Sequence, residues 1–306
     1  MTASVAIERV SKRYGTLQAV RDVSFTLAPG ELVALIGHNG AGKTTLMKLM
    51  LGLIHPSEGT IQVLGEDPAS GAFAARRQLG YLPENVAFNG ALTGYETLSF
   101  YAGLKGETAA SVPVLLERVG LGEAGKRRAA TYSKGMRQRL GLAQALLGSP
   151  RLMLLDEPTT GLDPEFRQQF YEIMRELRDR GATVLLSSHA LTELEERADR
   201  AIIMNRGTKV AAGTLAELRH AAQLPSRIVV TMAEGRPTAT ISQLAPAGSV
   251  HRINGHTIEL VCKEADKLAM IRKVAADNIG VADIETMPPS LDDLYAHFLR
   301  RPEAGR

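Results

Sequence analysis

The first residues able to do chemistry form a glycine-rich segment between an apolar run at 32–36 and a helical pattern at 43–51. The segment reads Gly37-His38-Asn39-Gly40-Ala41-Gly42-Lys43-Thr44-Thr45. Backbone N–H groups freed by glycines converge on phosphate oxygens, and a following helix amino terminus adds partial positive charge. Lys43 can reach the outer phosphates, and the Thr44 hydroxyl suits magnesium. A phosphate-binding loop is therefore favoured over a chance glycine-rich turn.

Two adjacent acids follow a second apolar run at 152–155. Asp156 is expected at the carboxyl end of a buried strand, where it can meet magnesium through water. Glu157 would face the last phosphate and orient or deprotonate an attacking water molecule. An apolar strand that ends in two acids is common by itself, but together with the phosphate loop it predicts nucleotide hydrolysis.

A third motif lies between these two and reads Tyr132-Ser133-Lys134-Gly135-Met136. A serine hydroxyl, a glycine N–H and a helix amino terminus can together bind an anion, and Lys134 could add positive charge. The alternative is an ordinary helix that begins with a serine cap.

The elements that must position these residues are predicted from periodicity. Apolar runs at 32–36, 152–155 and 183–186 indicate strands buried on both faces, with an amphipathic helix at 166–180 between the last two. Such a succession implies a parallel sheet with right-handed crossovers. Residues 85–148 show helical patterns and no convincing strand, which indicates a helical insertion.

A second region begins near Leu224-Pro225 and alternates strand and helix patterns. We therefore expect two domains, at residues 3–223 and 224–306, the second a small α+β domain. Residues 205–207 predict a hairpin turn, and Thr214 with Glu217 has the spacing of a capping box. His251, His256 and Cys262 lack the spacing of a zinc motif. Cys262 is expected to pack in a core.

Composition limits the remaining classes of function. The 306 residues carry a net charge of +3 with no strongly clustered Lys and Arg, so no nucleic-acid partner is expected. A single cysteine excludes an internal disulfide. Because no apolar run approaches the ~20 residues that span a bilayer, we do not expect this chain to enter a membrane by itself.

In their order along the chain, the motifs resemble those of ATP-binding-cassette (ABC) proteins over about residues 3–220. The signature motif of that family is most often Leu-Ser-Gly-Gly-Gln, and here Ser133 and Gly135 keep two of its positions. Tyr132, Lys134 and Met136 depart from that form. These departures change three side chains of the motif, and the position of the motif in the chain is that of the family signature.

The resemblance assigns roles to further residues, each of which would be unremarkable alone. Tyr14 occupies the place of the aromatic residue that stacks on adenine. Asp163 lies in the loop through which subunits sense each other, and His189 takes the place of the switch histidine at the last phosphate. Glu84 stands where the family has a glutamine that reaches the metal.

The resemblance also implies a fold, two cofactors and several partners. The fold class is α/β, a P-loop NTPase of the ABC cassette type with a mixed sheet core, an antiparallel β subdomain, a helical insertion and the small carboxyl-terminal domain. The cofactors are ATP and Mg²⁺. Two copies would close head-to-tail, with the 133–136 motif of one copy completing the nucleotide site of the other. The ATPase would drive an integral-membrane transporter subunit at the cytoplasmic face of the inner membrane.

Within the family, residues 77–86 and 131–147 resemble the ATPase subunit of the copper-processing transporter that serves nitrous oxide reductase maturation. That system adds a periplasmic protein to the membrane subunit. Three alternatives remain at this point. They are another exporter-type ABC system, a soluble ABC ATPase that acts on nucleic acid or ribosomes, and a nucleotide-binding regulator that does not hydrolyse.

Overall fold

The computed structural model describes residues 3–71, 73–189, 191–234, 236, 249–276 and 279–300. The chain divides into two compact units between Ala212 and Gly213.

The first unit contains the predicted phosphate loop and both acids. Its strands are β1 (Val5–Tyr14), β2 (Leu17–Leu27), β3 (Leu32–Ile36), β4 (Glu58–Val63), β5 (Leu79–Leu82), β6 (Leu152–Leu155), β7 (Thr183–Ser187), β8 (Arg200–Asn205) and β9 (Thr208–Gly213). Its helices are α1 (Lys43–Met50), α2 (Phe73–Arg77), α3 (Gly94–Lys105), α4 (Val112–Arg118), α5 (Lys134–Leu146), α6 (Pro164–Asp179) and α7 (Leu191–Glu195).

A six-stranded sheet forms the centre of this unit, in the order β5-β6-β7-β3-β8-β9. The five neighbouring strands from β5 to β8 in this order pair in parallel. Every residue of β3, β6 and β7 is buried, because apolar strands of this type are covered on both faces. The predicted parallel core is therefore confirmed, and so is the hairpin between β8 and β9.

A second, antiparallel sheet has the order β2-β1-β4. Its apolar side chains share one core with those of β3 and α1. The buried residues of this core include Val5, Val20, Leu35 and Leu46. The phosphate loop is thus anchored on its amino-terminal side by β3 and on its carboxyl-terminal side by α1.

The predicted helical insertion is also present. The chain from 85 to 148 forms α3, α4, α5 and three short 3₁₀ turns, with no strand in that stretch. Lys105 at the end of α3 fastens the insertion to the sheet, since its Nζ donates to Leu79 O at 2.9 Å and to Leu147 O at 2.8 Å. Burial lowers the pKa of Lys105 to about 8.

The second unit has helices and an antiparallel sheet of its own. The elements are α8 (Leu215–Ala222), β10 (Ser226–Met232), β11 (Val250–Arg252), β12 (Thr257–Cys262), α9 (Glu264–Val274), β13 (Val281–Met287) and α10 (Leu291–Arg300), with sheet order β11-β12-β10-β13. Cys262 belongs to its buried apolar core with Ile228 and Leu260, as predicted.

This unit begins earlier than the expected boundary at 223/224. Helix α8 belongs to it, because Arg219 Nε donates to Pro289 O at 2.8 Å. The capping box predicted at Thr214 and Glu217 opens this helix. Sequence periodicity placed the break at the Leu224-Pro225 pair, where the chain leaves α8 and enters β10.

No helix in the described part of the chain is both long enough and apolar enough to cross a bilayer.

Candidate nucleotide-binding site

Two glycines of the phosphate loop are required by close backbone packing. Gly42 has φ +102°, and a Cβ on it would lie 2.7 Å from Ala19 O. A Cβ on Gly37 would lie 2.8 Å from the Ala41 Cβ and 2.9 Å from Met204 O. Because side chains cannot be accommodated there, the loop can curl tightly between β3 and α1.

Lys43 is held inside the curl of its own loop. Its Nζ donates to Gly37 O at 2.5 Å and lies 3.5 Å from His38 O, and the residue is only 6% exposed. Burial lowers the pKa of this ammonium, while Glu157 and Asp156 oppose the shift. The carbonyls of the loop thus hold the ammonium in place, and a bound phosphate could replace them as its partner.

Asp156 is fixed by two hydroxyl groups. Thr44 Oγ1 donates to its Oδ2 at 2.7 Å, and Ser187 Oγ donates to its Oδ1 at 2.7 Å. The first bond links the start of α1 to the end of β6. It brings together the hydroxyl and the carboxylate that were predicted as magnesium ligands.

Glu157 adopts a backbone conformation that few residues other than glycine adopt, with φ +49°. Its N–H donates to Ser187 Oγ at 2.9 Å, and its Oε2 accepts from the His189 N–H at 3.2 Å. Ser187 therefore accepts from one acidic residue and donates to the other. The sequence does not single out Ser187, because a serine at the end of a strand is unremarkable by itself.

The second carboxylate oxygen of Glu157, Oε1, is buried and has no properly aligned hydrogen-bond donor among the described residues. The His189 Nε2 atom lies 3.1 Å from it and also lies 3.2 Å from Asn39 Oδ1. Burial raises the pKa of the Glu157 carboxyl, and His189 and Lys43 oppose the rise. A buried carboxylate with a raised pKa is a stronger base than an exposed one and is suited to accept a proton.

The loop and both acids open into one cavity of about 650 Å³. Its lining consists of Tyr14, Leu17, Gln18, Ala19, His38, Asn39, Gly40, Ala41, Gly42, Lys43, Thr44, Thr45, Glu84, Asp156, Glu157 and Arg206. Tyr14 is 45% exposed, and the Lys12 Nζ lies over its ring at 5.1 Å from the ring centroid. The lining includes four residues that the sequence analysis did not single out, which are Leu17, Gln18, Ala19 and Arg206.

The 133–136 motif lies elsewhere on the same unit, and none of its residues lines the cavity. Ser133 caps α5 by accepting from the Met136 N–H at 3.2 Å. Ser133 and Lys134 are exposed. A Cβ on Gly135 would lie 2.8 Å from Gly161 O, so the start of α5 packs directly on the loop that follows Glu157.

Asp163 ends that loop and joins it to α5. It caps α6 by accepting from the Phe166 N–H at 2.9 Å and forms an ion pair with Arg139. The hydrogen bond from Phe166 is the main reason that the pKa of Asp163 is lowered. The structure therefore groups Asp163 with the 133–136 motif and away from the cavity of the same chain.

The fold and the cavity define an α/β phosphate-loop nucleotide-binding protein, and comparison with known proteins narrows the class. The family described as ABC transporter matches residues 20–160. The daunorubicin resistance ATP-binding protein DrrA3 of Streptomyces coeruleorubidus is 33% identical over 96% of this chain and 95% of its own length. The Nod factor export ATP-binding protein I of Paraburkholderia xenovorans is 35% identical over 98% of each chain.

A solved structure of the ATP-binding subunit of an ABC transporter shares 36% identity and a TM-score of 0.68, over 72% of this chain and 93% of that chain. The chain belongs to the ABC transporter family as an ATP-binding subunit. The predicted fold class is thereby confirmed. The narrower resemblance to copper-processing transporters stays a prediction.

The double role of Ser187 leads to a first test. Ser187→Ala removes the donor to Asp156 and the acceptor for the Glu157 N–H, so both acids lose alignment. We expect kcat for ATP hydrolysis to fall about tenfold to a hundredfold, as the loss of hydrogen bonds to charged groups implies, with a smaller change in KM. Steady-state phosphate release by the purified chain measures both constants.

Thr183→Val is the matched control, because Thr183 is an equally buried hydroxyl residue at the opposite end of β7. Its hydroxyl contacts Ser4 and Ala28 and no acid of the site. It should lower the thermal unfolding midpoint and leave kcat nearly unchanged. Equal kcat in the two variants would remove Ser187 from its positioning role.

Proposed function

We propose that this chain hydrolyses Mg-ATP and transmits the energy to a separate integral-membrane transporter subunit. The observation that carries the proposal is that two adjacent acids beside the phosphate loop have different hydrogen-bond partners. Asp156 is tied to Thr44, where a metal would be held, and Glu157 is buried next to His189. Each acid therefore has its own partners and its own chemical task.

Glu157 is the proposed general base. Its Oε2 is occupied by the His189 N–H, which leaves Oε1 to accept a proton from water as that water attacks the last phosphate. Its raised pKa favours proton uptake. His189 would hold this carboxylate in place and touch the same phosphate, while Asn39 restrains the imidazole from the loop side.

Thr44 and Asp156 offer oxygen donors, which suit the hard Mg²⁺ ion. No cluster of three or more His, Cys, Asp or Glu able to hold a metal occurs among the described residues, so the ion would take its other ligands from phosphate and water. Glu84 lines the same cavity and is the proposed additional contact. When bound, magnesium neutralises charge that develops on the phosphates.

The active unit is proposed to be a head-to-tail homodimer. Ser133, Lys134, Gly135 and Met136 lie outside the cavity of their own chain, although their exposed helix start suits an anion. A second copy could bring these residues onto the nucleotide held by Lys43. Asp163 would then lie at the boundary between copies, where its ion pair with Arg139 links α5 to the loop after Glu157.

The cargo proposed from residues 77–86 and 131–147 is copper or sulfur for nitrous oxide reductase maturation, with the membrane subunit leading to a periplasmic protein. The names of the relatives favour a second candidate, an exporter-type system, since one relative is named for daunorubicin resistance and another for Nod factor export. In both cases the ATPase would bind the cytoplasmic face of the inner membrane.

Replacing the proposed base gives the sharpest test of hydrolysis. Glu157→Gln keeps the size of the side chain and removes its ability to accept a proton. We expect kcat to fall by about 10²- to 10⁴-fold, the usual contribution of a general base, while ATP binding is retained. Single-turnover hydrolysis and equilibrium binding of ATP measure the two effects separately.

The pH dependence supplies the control. Since burial raises the pKa of Glu157, wild-type kcat should decline on the acid side at a higher pH than an ordinary glutamate would produce. The carboxylate is fully available above this range and is lost as pH falls through it. The residual activity of Glu157→Gln should lack this acid limb. Near-wild-type turnover in Glu157→Gln would remove the residue from its role.

The membrane partner and the cargo are tested together. We expect the tagged chain, extracted from native membranes in mild detergent, to retain an integral-membrane protein that stimulates its ATPase activity. If copper delivery is the task, cells carrying Glu157→Gln should make nitrous oxide reductase with a reduced copper content. Full copper loading with loss of drug or Nod factor efflux would favour the exporter alternative. Recovery with ribosomes or nucleic acid and no membrane protein would contradict both.

A further inference from the structure

The turn between β8 and β9 forms a wall of the nucleotide cavity that no sequence motif marks. It reads Asn205-Arg206-Gly207 and is bound directly to the phosphate loop. The Gly207 N–H donates to Ala41 O at 3.0 Å, and Asn205 Oδ1 lies 3.0 Å from His38 Nε2. The turn is therefore held at a fixed position beside the loop.

Strand β2 holds the same turn from the other side. The Arg21 N–H donates to Gly207 O at 2.8 Å, and a Cβ on Gly207 would lie 2.8 Å from Ala19 O. Gly42, the residue before Lys43, meets the same carbonyl of Ala19. The turn thus sits between the β2 wall and the phosphate loop.

Arg206 is the one charged residue of this turn. It has φ +45°, its side chain is exposed, and it lines the cavity. Among the described residues, no oxygen atom accepts a hydrogen bond from its guanidinium, and no carboxylate forms an ion pair with it. The arginine is thus held in an unfavourable backbone conformation at the lining of the cavity, on a turn whose neighbours are fixed.

The charge of the cavity makes this cation significant. Among the described residues of the lining, Lys43 and Arg206 carry fixed positive charge, whereas Glu84, Asp156 and Glu157 carry negative charge. Lys43 is buried and already engaged by the carbonyls of its own loop. A bound Mg²⁺ would neutralise part of the charge of a triphosphate, and a guanidinium adds strong hydrogen bonds to phosphate oxygens that a metal ion does not occupy.

We propose that Arg206 is a nucleotide-binding residue whose guanidinium contacts the phosphate chain of ATP from the β8–β9 turn. The inference rests on the proposed function, since it assumes that the cavity holds ATP. The hydrogen bond from Gly207 to Ala41 O places the turn against the phosphate loop, and phosphate is the group for which a guanidinium is best suited. Among the described residues Arg206 makes no hydrogen bond or ion pair with Asp156 or Glu157, so we assign it to binding and not to the chemical step.

The test is equilibrium titration of the purified chain with a fluorescent ATP analogue, together with steady-state kinetics. Arg206→Gln should raise both Kd and KM for nucleotide about threefold to twentyfold, the range expected for a charge-assisted contact at a partly exposed site. Its kcat at saturating ATP should stay close to wild type. Arg206→Lys should lose less affinity, and the difference between wild type and Arg206→Gln should shrink in about 0.5 M NaCl, because salt screens the contact.

Arg9→Gln is the matched control. Arg9 is also an exposed arginine at positive φ, +47°, and it lies outside the cavity lining. If Arg9→Gln lowers nucleotide affinity as much as Arg206→Gln, or if Arg206→Gln binds like the wild type, the inference is overturned. Wild-type protein that binds no ATP analogue would instead refute the proposed function.

Discussion

One hydroxyl group at the end of β7, that of Ser187, forms a hydrogen bond with each of the two acids of the site. The register pairs Leu155 of β6 with Leu186 of β7, so the next residues, Asp156 and Ser187, come to lie together at the sheet edge. Ser187 can then donate to Asp156 and accept from the Glu157 N–H. A slip of one residue would turn every side chain of the strand to the opposite face and break both bonds. The site therefore depends on the register of β6 against β7.

Much of this arrangement could be predicted from the sequence, because its residues belong to short motifs bound to known local structures. The curl before Lys43 follows from its glycines, and the buried strands follow from continuous apolar runs. Ser187 and Arg206 could not be found in this way. Their roles arise from contacts between segments distant in the chain, and neither a serine at a strand end nor an arginine in a turn is unusual. The boundary before α8 was missed for the same reason.

The loop from Glu157 to Asp163 gives the structure a means of linking chemistry to assembly. Its first residue is the proposed base, and its last residue forms an ion pair with Arg139 on α5. Between them, Gly161 packs against Gly135 at the start of that helix. In the proposed dimer, this short segment would connect the acid beside the γ-phosphate to the surface that meets the second copy.

The claim that two copies share each nucleotide is tested most directly by cysteine cross-linking. In a Glu157→Gln background, Asn39→Cys and Ser133→Cys together should give a covalent dimer when ATP and Mg²⁺ are added, and far less without nucleotide. The native Cys262 is buried and should not interfere. Each single variant alone should stay uncrosslinked, since a head-to-tail pair joins unlike positions, and mixing the two single variants should restore the dimer. Dimers that form equally in the single variants, or no dimer in any ATP-loaded sample, would contradict the account.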